Sequence, residues 1–183
     1  MASAFGHALT SIAIGSSYPK KVNTWKFLFL GIFCSIIPDA DVISFQFGIP
    51  YDSFWGHRGF THSIVFAVLF GVIISFIFYK HIFFSRKGIP YILFFILCTA
   101  SHGILDAMTS GGLGVAFFSP FNNARHFLPW RPIKVSPIGA VKFFSERGIR
   151  VIKSEAIWIG IPCTIYMLLM KLIRKTRKTV QQT

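Results

Sequence analysis

The run IVFAVLFGVIISFIFY, residues 64–79, contains no charged side chain. With its flanks it reaches the roughly 20 apolar residues that a helix rising about 1.5 Å per residue needs to cross a bilayer. It is one of five apolar segments, at about 4–18, 25–45, 62–80, 89–109 and 155–173, with ends good to about four residues. The pattern predicts an all-α fold: a polytopic membrane helical bundle of about five helices with a long interfacial loop, in a single domain over residues 1–183. The first segment is short and holds Ser and Thr, so partial entry and full crossing both stay open. The second is interrupted by Pro38, Asp39 and Asp41.

Composition narrows the partners. At 53% hydrophobic residues, with 22 Phe, the chain does not read as a soluble domain. Its net charge of +13, from 19 Lys and Arg against 6 acids, suits nucleic acid or anionic lipid. With apolar spans present, lipid headgroups are the expected partner and nucleic acid is not. Cys34, Cys98 and Cys163 each lie within an apolar segment and form no CxxC pair, so they read as buried fillers. The first segment lacks a preceding basic region and carries His7, so it reads as a retained helix rather than a cleaved signal.

Basic residues set the expected sidedness. Lys20, Lys21 and Lys26 follow the first segment, Lys80, Arg86 and Lys87 the third, and Lys171, Arg174, Lys175, Arg177 and Lys178 the last. With five spans these clusters share one face, expected to be cytoplasmic along with the C-terminus. The opposite, extracytoplasmic face then receives loops 39–61 and 110–154. The same alternation sends His7, Asp39, Asp41, His57, His62, His102 and Asp106 towards that face, where they would converge on one shallow pocket at headgroup level.

Each cluster has two readings. His102 and Asp106, four apart, share one helical face and suit either a divalent metal or a hydrogen bond between helices. The Asp pair in IIPDAD is either an interfacial turn or part of a cation site, because two buried carboxylates need neutralising. In HRGFTHS, His57 falls on a loop and His62 in a first helical turn, as ligands or as interfacial anchors. Taken together the groups favour metal, since ionisable residues at membrane depth are costly and usually functional. In the loop FFSPFNNARHFLPWRPIKVSPIG, Arg125 and Arg131 would hold a phosphate or lie on anionic lipid. VKFFSERGIRVIKSE reads as an amphipathic interfacial connector.

His7, PDAD, HRGFTHS, HGILDAMTSGG and PFNNARHFLPWRPIKVSPIG together resemble the YdjM-like family of inner-membrane, metal-dependent hydrolases. That family is more distantly similar to zinc-dependent phospholipases C and related single-strand nucleases. The resemblance implies a helical metal-binding core with ligands drawn from His7, Asp39 or Asp41, His57 or His62, His102 and Asp106. It departs from the soluble enzymes in lacking clear further His and Glu ligands downstream of Asp106, so one or two ions are expected, zinc first.

The function expected is a membrane-embedded metal-dependent hydrolase of phospholipid or lipid-linked phosphoesters. Asp39 or Asp41 would serve as ligand and the other as catalytic base or orienter, with Arg58, Arg125 and Arg131 positioning an anionic headgroup. The alternative is a non-catalytic metal-binding membrane protein, a transporter or sensor.

Overall fold

The computed structural model describes residues 1–139 and 143–180. Val141 and Lys142, at the start of the expected connector, lie outside them, as does the side chain of Lys178. Helices α1 (Ala4–Gly15), α2 (Trp25–Ile36), α3 (Ile64–Phe83), α4 (Ile89–Ala107), α5 (Glu146–Glu155) and α6 (Ile161–Val180) make an all-helical fold. The described residues include no strand.

Local chemistry sets the helix starts. The hydroxyls of Ser3, Thr24 and Ser63 accept hydrogen bonds from the backbone N–H groups of Gly6, Phe27 and Phe66, capping α1, α2 and α3. Pro90 occupies the first turn of α4, where a missing N–H costs nothing. Four helical stretches are long and apolar enough to cross a membrane: Trp25–Phe47, Ile64–Phe83, Ile89–Ala107 and Glu146–Arg177. Helix α1, at 12 residues, rises only about 18 Å against a hydrocarbon core of about 30 Å.

Two boundaries differ from the sequence expectation. The second segment does not stay α-helical to residue 45. It tightens into a 3-10 stretch, Ile37–Phe47, where Pro38 has no N–H to continue the α-helical hydrogen bonding. The stretch ends at Gly48, in the left-handed region at φ 68°. The last span is also not preceded by a separate connector. Helix α5 runs through a π turn, Ala156–Gly160, directly into α6. The interfacial stretch and the final span are one element, and the long loop ends at 145 rather than 154.

The main core lies between α1, α2, α3 and α4, where Phe27, Leu30, Cys34, Ile74, Phe94, Phe95 and Cys98 are buried. The Phe27 and Phe94 rings stack at 3.8 Å. The outer side of α3 leaves Leu69, Ile73 and Ile77 exposed, as a lipid-facing helix does. Basic clusters gather at one end. Lys26 Nζ donates to the Phe78 carbonyl and lies over the Tyr79 ring, and the Arg174 guanidinium donates to the Ser16 and Tyr18 carbonyls. That placement is topological: α1, α3 and α5–α6 all run towards the basic end, while α2 and α4 run away from it.

Helices α3 and α4 approach most closely at Gly71. A Cβ there would lie 2.6 Å from the Ile96 backbone nitrogen, which cannot move aside as a side chain could. Gly71→Leu is therefore expected to destabilise the bundle by about 1–3 kcal/mol, read as a lowered unfolding midpoint in detergent; an unchanged midpoint would refute this packing.

Candidate metal centre

The centre forms where α2, α4 and the 57–62 turn meet, at the end away from the basic clusters. Pro38 and the 3-10 geometry turn Asp39 and Asp41 inward, so that both are buried. Helix α4 delivers His102 and Asp106 from one face, both fully buried. The turn from Phe54 to His62 depends on Gly59, whose Cβ would lie 2.3 Å from the Phe54 carbonyl oxygen. Arg58 beside it adopts a left-handed φ of 64°. That conformation, at a cost of roughly 1–3 kcal/mol, sends the Arg58 backbone N–H to Asp41 Oδ2 (3.0 Å) and its Nε to Asp106 Oδ2 (3.0 Å).

Four ligand atoms converge: Asp39 Oδ1, His62 Nε2, His102 Nε2 and Asp106 Oδ2. Asp39 Oδ1 lies 3.6 Å from His62 Nε2 and 3.3 Å from His102 Nε2. Asp106 Oδ2 lies 3.6 and 4.0 Å from the same two nitrogens, which are 2.9 Å apart. A tetrahedral ion with ligands at about 2.0–2.1 Å sets its ligand atoms about 3.4 Å apart. The observed separations bracket that value.

Proton positions sharpen the fit. His102 Nδ1 lies 2.7 Å from the Ser35 carbonyl, which can only accept, so Nδ1 carries the proton. His62 Nδ1 lies 3.1 Å from Thr61 Oγ1, whose own proton goes to Asp41 Oδ2, and 3.2 Å from Asp41 Oδ2, so this Nδ1 too carries the proton. Both Nε2 lone pairs therefore face each other between two carboxylates, an arrangement that only a proton or a cation can hold together. Asp39 Oδ1 and Asp106 Oδ2 are buried without a hydrogen-bond donor, and both ring nitrogens of His7 are unpartnered. Orphaned buried polar atoms of this kind are rare unless an ion or water claims them. The donor set of two imidazoles and two carboxylates fits a divalent transition metal.

The remaining expected residues take distinct places. Asp41 is saturated: His57 Nδ1 lies 2.6 Å from Oδ1, and Thr61 Oγ1 donates to Oδ2 at 2.6 Å. It therefore orients His57 and His62, and the four-atom cluster forms without it. His57, Asp41 and His62 make a second group of metal-ligating type. Burial lowers the His57 pKa despite the Asp41 contact. His7 stacks on His102 at 3.8 Å and reaches Asp106 Oδ1 at 3.5 Å. Arg58 is wholly buried and also donates to Gly111 O and Thr109 Oγ1. Arg125 donates to the carbonyls of His57, Tyr51 and Ser53, and Arg131 lies exposed over the Phe127 ring, so these two do not converge with Arg58.

The centre is not a shallow pocket. Loops 48–61 and 108–137 pair over it, through Ala116 N to Arg58 O and Ile64 N to Phe117 O, because their polar backbone must be satisfied away from water. Sequence reasoning missed Glu155, a buried acid whose carboxylate accepts from Ser3 N and Ser3 Oγ, both at 2.5 Å. The available signal was its position: one of only six acids opens the final apolar segment, EAIWIG.

Comparison with known proteins agrees with this geometry. The profile of the YdjM inner membrane protein family matches residues 1–178. The chain belongs to the YdjM inner membrane protein family. It is also 39% identical over 161 residues to the inner membrane protein YbcI of Escherichia coli (strain K12), covering 88% of this chain and 92% of that protein. No solved structure matches the chain at a significant level. The expected likeness to phospholipase C is not among the similarities found. This YdjM-family chain is thus an inner-membrane-type helical protein with a buried His/Asp group able to hold a metal ion.

Burial acts to lower the His62 pKa, but the carboxylates of Asp106, Asp39 and Asp41 outweigh it and push it up to about 10. Below that pH the metal-free centre holds a proton that an ion must displace. Metal affinity should therefore fall about tenfold for each pH unit lowered through neutrality, with about one proton released per ion bound. Calorimetric titration in buffers of different ionisation enthalpy measures both; pH-independent binding without proton release would contradict the arrangement.

Proposed function

We propose that the protein is a membrane-embedded hydrolase that uses a divalent metal, zinc first, to cleave phosphoesters of phospholipids or lipid-linked substrates from the extracytoplasmic side. The observation that carries this reading is the convergence of Asp39, His62, His102 and Asp106 on a space of ionic size. When bound, a divalent ion supplies Lewis acidity and lowers the pKa of a water towards neutrality. His62 and His102 are held in the right tautomer by Asp41 and the Ser35 carbonyl. Arg58 fixes Asp106 and contributes positive charge to the wall of an adjoining cavity that His57 also lines. His7, whose ring nitrogens make no hydrogen bond, is the group left for a second ion, since Asp106 Oδ1 accepts from Ala2 N at 2.7 Å. Asp39 serves as ligand or base, and Asp41 as orienter of two imidazoles. Arg125 supports the headgroup region by bracing the turn that carries His57.

The sidedness follows from the basic residues gathered at the opposite end, which the positive-inside rule assigns to the cytoplasm. A transport role is disfavoured by the packing beneath the centre. Phe27, Leu30, Phe94 and Phe95 fill the bundle between the centre and the basic end, leaving no ionisable path among the described residues.

Purified protein should hydrolyse a phospholipid phosphoester, lose that activity to a chelator and regain it with zinc. His102→Ala should lose bound metal and activity together. Asp41→Asn should weaken metal binding by about 10–100-fold while leaving the fold intact. Metal-loaded protein that is inert on every phospholipid ester tried would overturn the hydrolase reading, and metal flux in liposomes would favour a transporter.

A further inference from the structure

Two concavities border α5, one near its start and one near its end. One, of about 280 Å³, adjoins the metal centre and is lined by Tyr51, His57, Arg58, Gly112 and Arg147 among others. The other, of about 350 Å³, is a crevice between α1 and the α5–π segment, walled by Phe5, Leu9, Ile152, Ala156 and Ile159. We propose that together they seat one anionic phospholipid, with its phosphate at Arg147 and one acyl chain in the α1–π crevice. The proposal rests on the lipid-substrate reading above and names how that substrate lies.

Four observations carry it. First, Arg147 is exposed and, among the described residues, makes no hydrogen bond or ion pair, while it lies on the same cavity wall as buried Arg58. Arg58 spends its guanidinium on Asp106, Gly111 and Thr109, which leaves Arg147 to recognise a phosphate by forked hydrogen bonds. Second, the two hollows are in line. Arg147 and Ile159 are 12 residues apart on one continuous helix, a rise of about 18 Å. That is close to the depth of one leaflet, about half of a 30 Å hydrocarbon core. Third, the direction is right. Ser154 Oγ donates to Pro132 O and Glu155 receives Ser3, so α5 stands at the level of the covering loops, and the crevice descends from there past the depth of His7. Fourth, the crevice is shaped by small residues, Gly6, Ala156 and Gly160, and by the π turn, an irregularity often retained where a helix must open for function.

The two halves contribute differently. A tail moving from bilayer into this crevice leaves hydrocarbon for hydrocarbon, so it gains packing and register rather than transfer free energy. Selectivity belongs to the charged end. A lipid held in this way would bring its headgroup ester from the side of the bundle to the edge of the centre, without leaving the membrane.

The test separates this seating from catalysis by using metal-free protein. The chain is placed in vesicles of mixed anionic and zwitterionic phospholipid that contain a trace of either class bearing a photoactivatable group at the end of one tail. Labelling is expected to concentrate on residues 5–9 and 152–159, with the anionic probe favoured. Ala156→Phe should lower that labelling about fivefold or more, and Ile152→Trp on the exposed rim should act likewise should the first variant fold poorly. Arg147→Ala should bring the anionic and zwitterionic probes to parity while the tail label persists. Label spread over the exposed sides of α3 and α6 and indifferent to both crevice variants would overturn the proposal. So would cross-links in the crevice to a second copy of the chain. Crevice labelling in a protein without hydrolytic activity would count against the catalytic reading alone.

Discussion

Three carboxylates sunk in an apolar bundle are the constraint from which the rest of the structure follows. Asp39, Asp41 and Asp106 are buried, and Arg58 is the one guanidinium that meets them at their depth. Arg58 and the terminal ammonium of Met1, 3.9 Å from Asp106 Oδ2, offset part of that charge, and a net negative charge is left if the histidines are neutral. An ionised carboxylate removed from water costs several kcal/mol even after relaxation. A divalent cation offsets that charge in one step, and the four converging ligand atoms stand where it would sit. Without it, the centre balances itself with a proton on His62.

The covering loops answer the same constraint. Arg58 reaches Gly111 and Thr109, and Arg125 reaches His57, Tyr51 and Ser53, so two guanidiniums stitch loop 48–61 to loop 108–137 through four backbone carbonyls and the Thr109 hydroxyl. Paired backbone at Val115 and His126 closes the second loop on itself. Loops built in this way exclude water, and a drier site strengthens each charge–charge contact within it. The left-handed backbone of Arg58 belongs with this function, since it lets one residue give its N–H to Asp41 and its side chain to Asp106.

Much of this was legible because membranes simplify the code. Uncharged runs located the middle spans within a few residues, although the last begins at Glu146 rather than 155, and His102 and Asp106 share one face of α4 as their spacing implied. Alternating crossings also placed the His and Asp residues at one end, although each cluster alone had a second reading. What escaped were features set by contacts remote in sequence. Pro38 was visible, but its effect, a 3-10 stretch that turns Asp39 and Asp41 inward, requires the neighbouring helices. Arg125 and Arg131 look alike in the sequence, yet one is consumed by three carbonyls and the other lies on Phe127. Glu155 was hidden because its partner, Ser3, is 152 residues away.

Depth decides which approaches to the centre are open. From the basic end, α2 rises about 15 Å between Trp25 and Ser35, and α4 rises about 20 Å between Ile89 and His102. The centre thus lies at or past the middle of a hydrocarbon core of about 30 Å. Below it the stacked Phe27 and Phe94 rings close the bundle, and above it the loops are tied by guanidiniums. What remains is the side, where α1 is shorter than a full crossing and packs against both the π turn and α6. A helix that stops short would be a defect in a simple bundle. Here it carries His7 to the edge of the metal centre and leaves beside it a hollow facing the acyl chains.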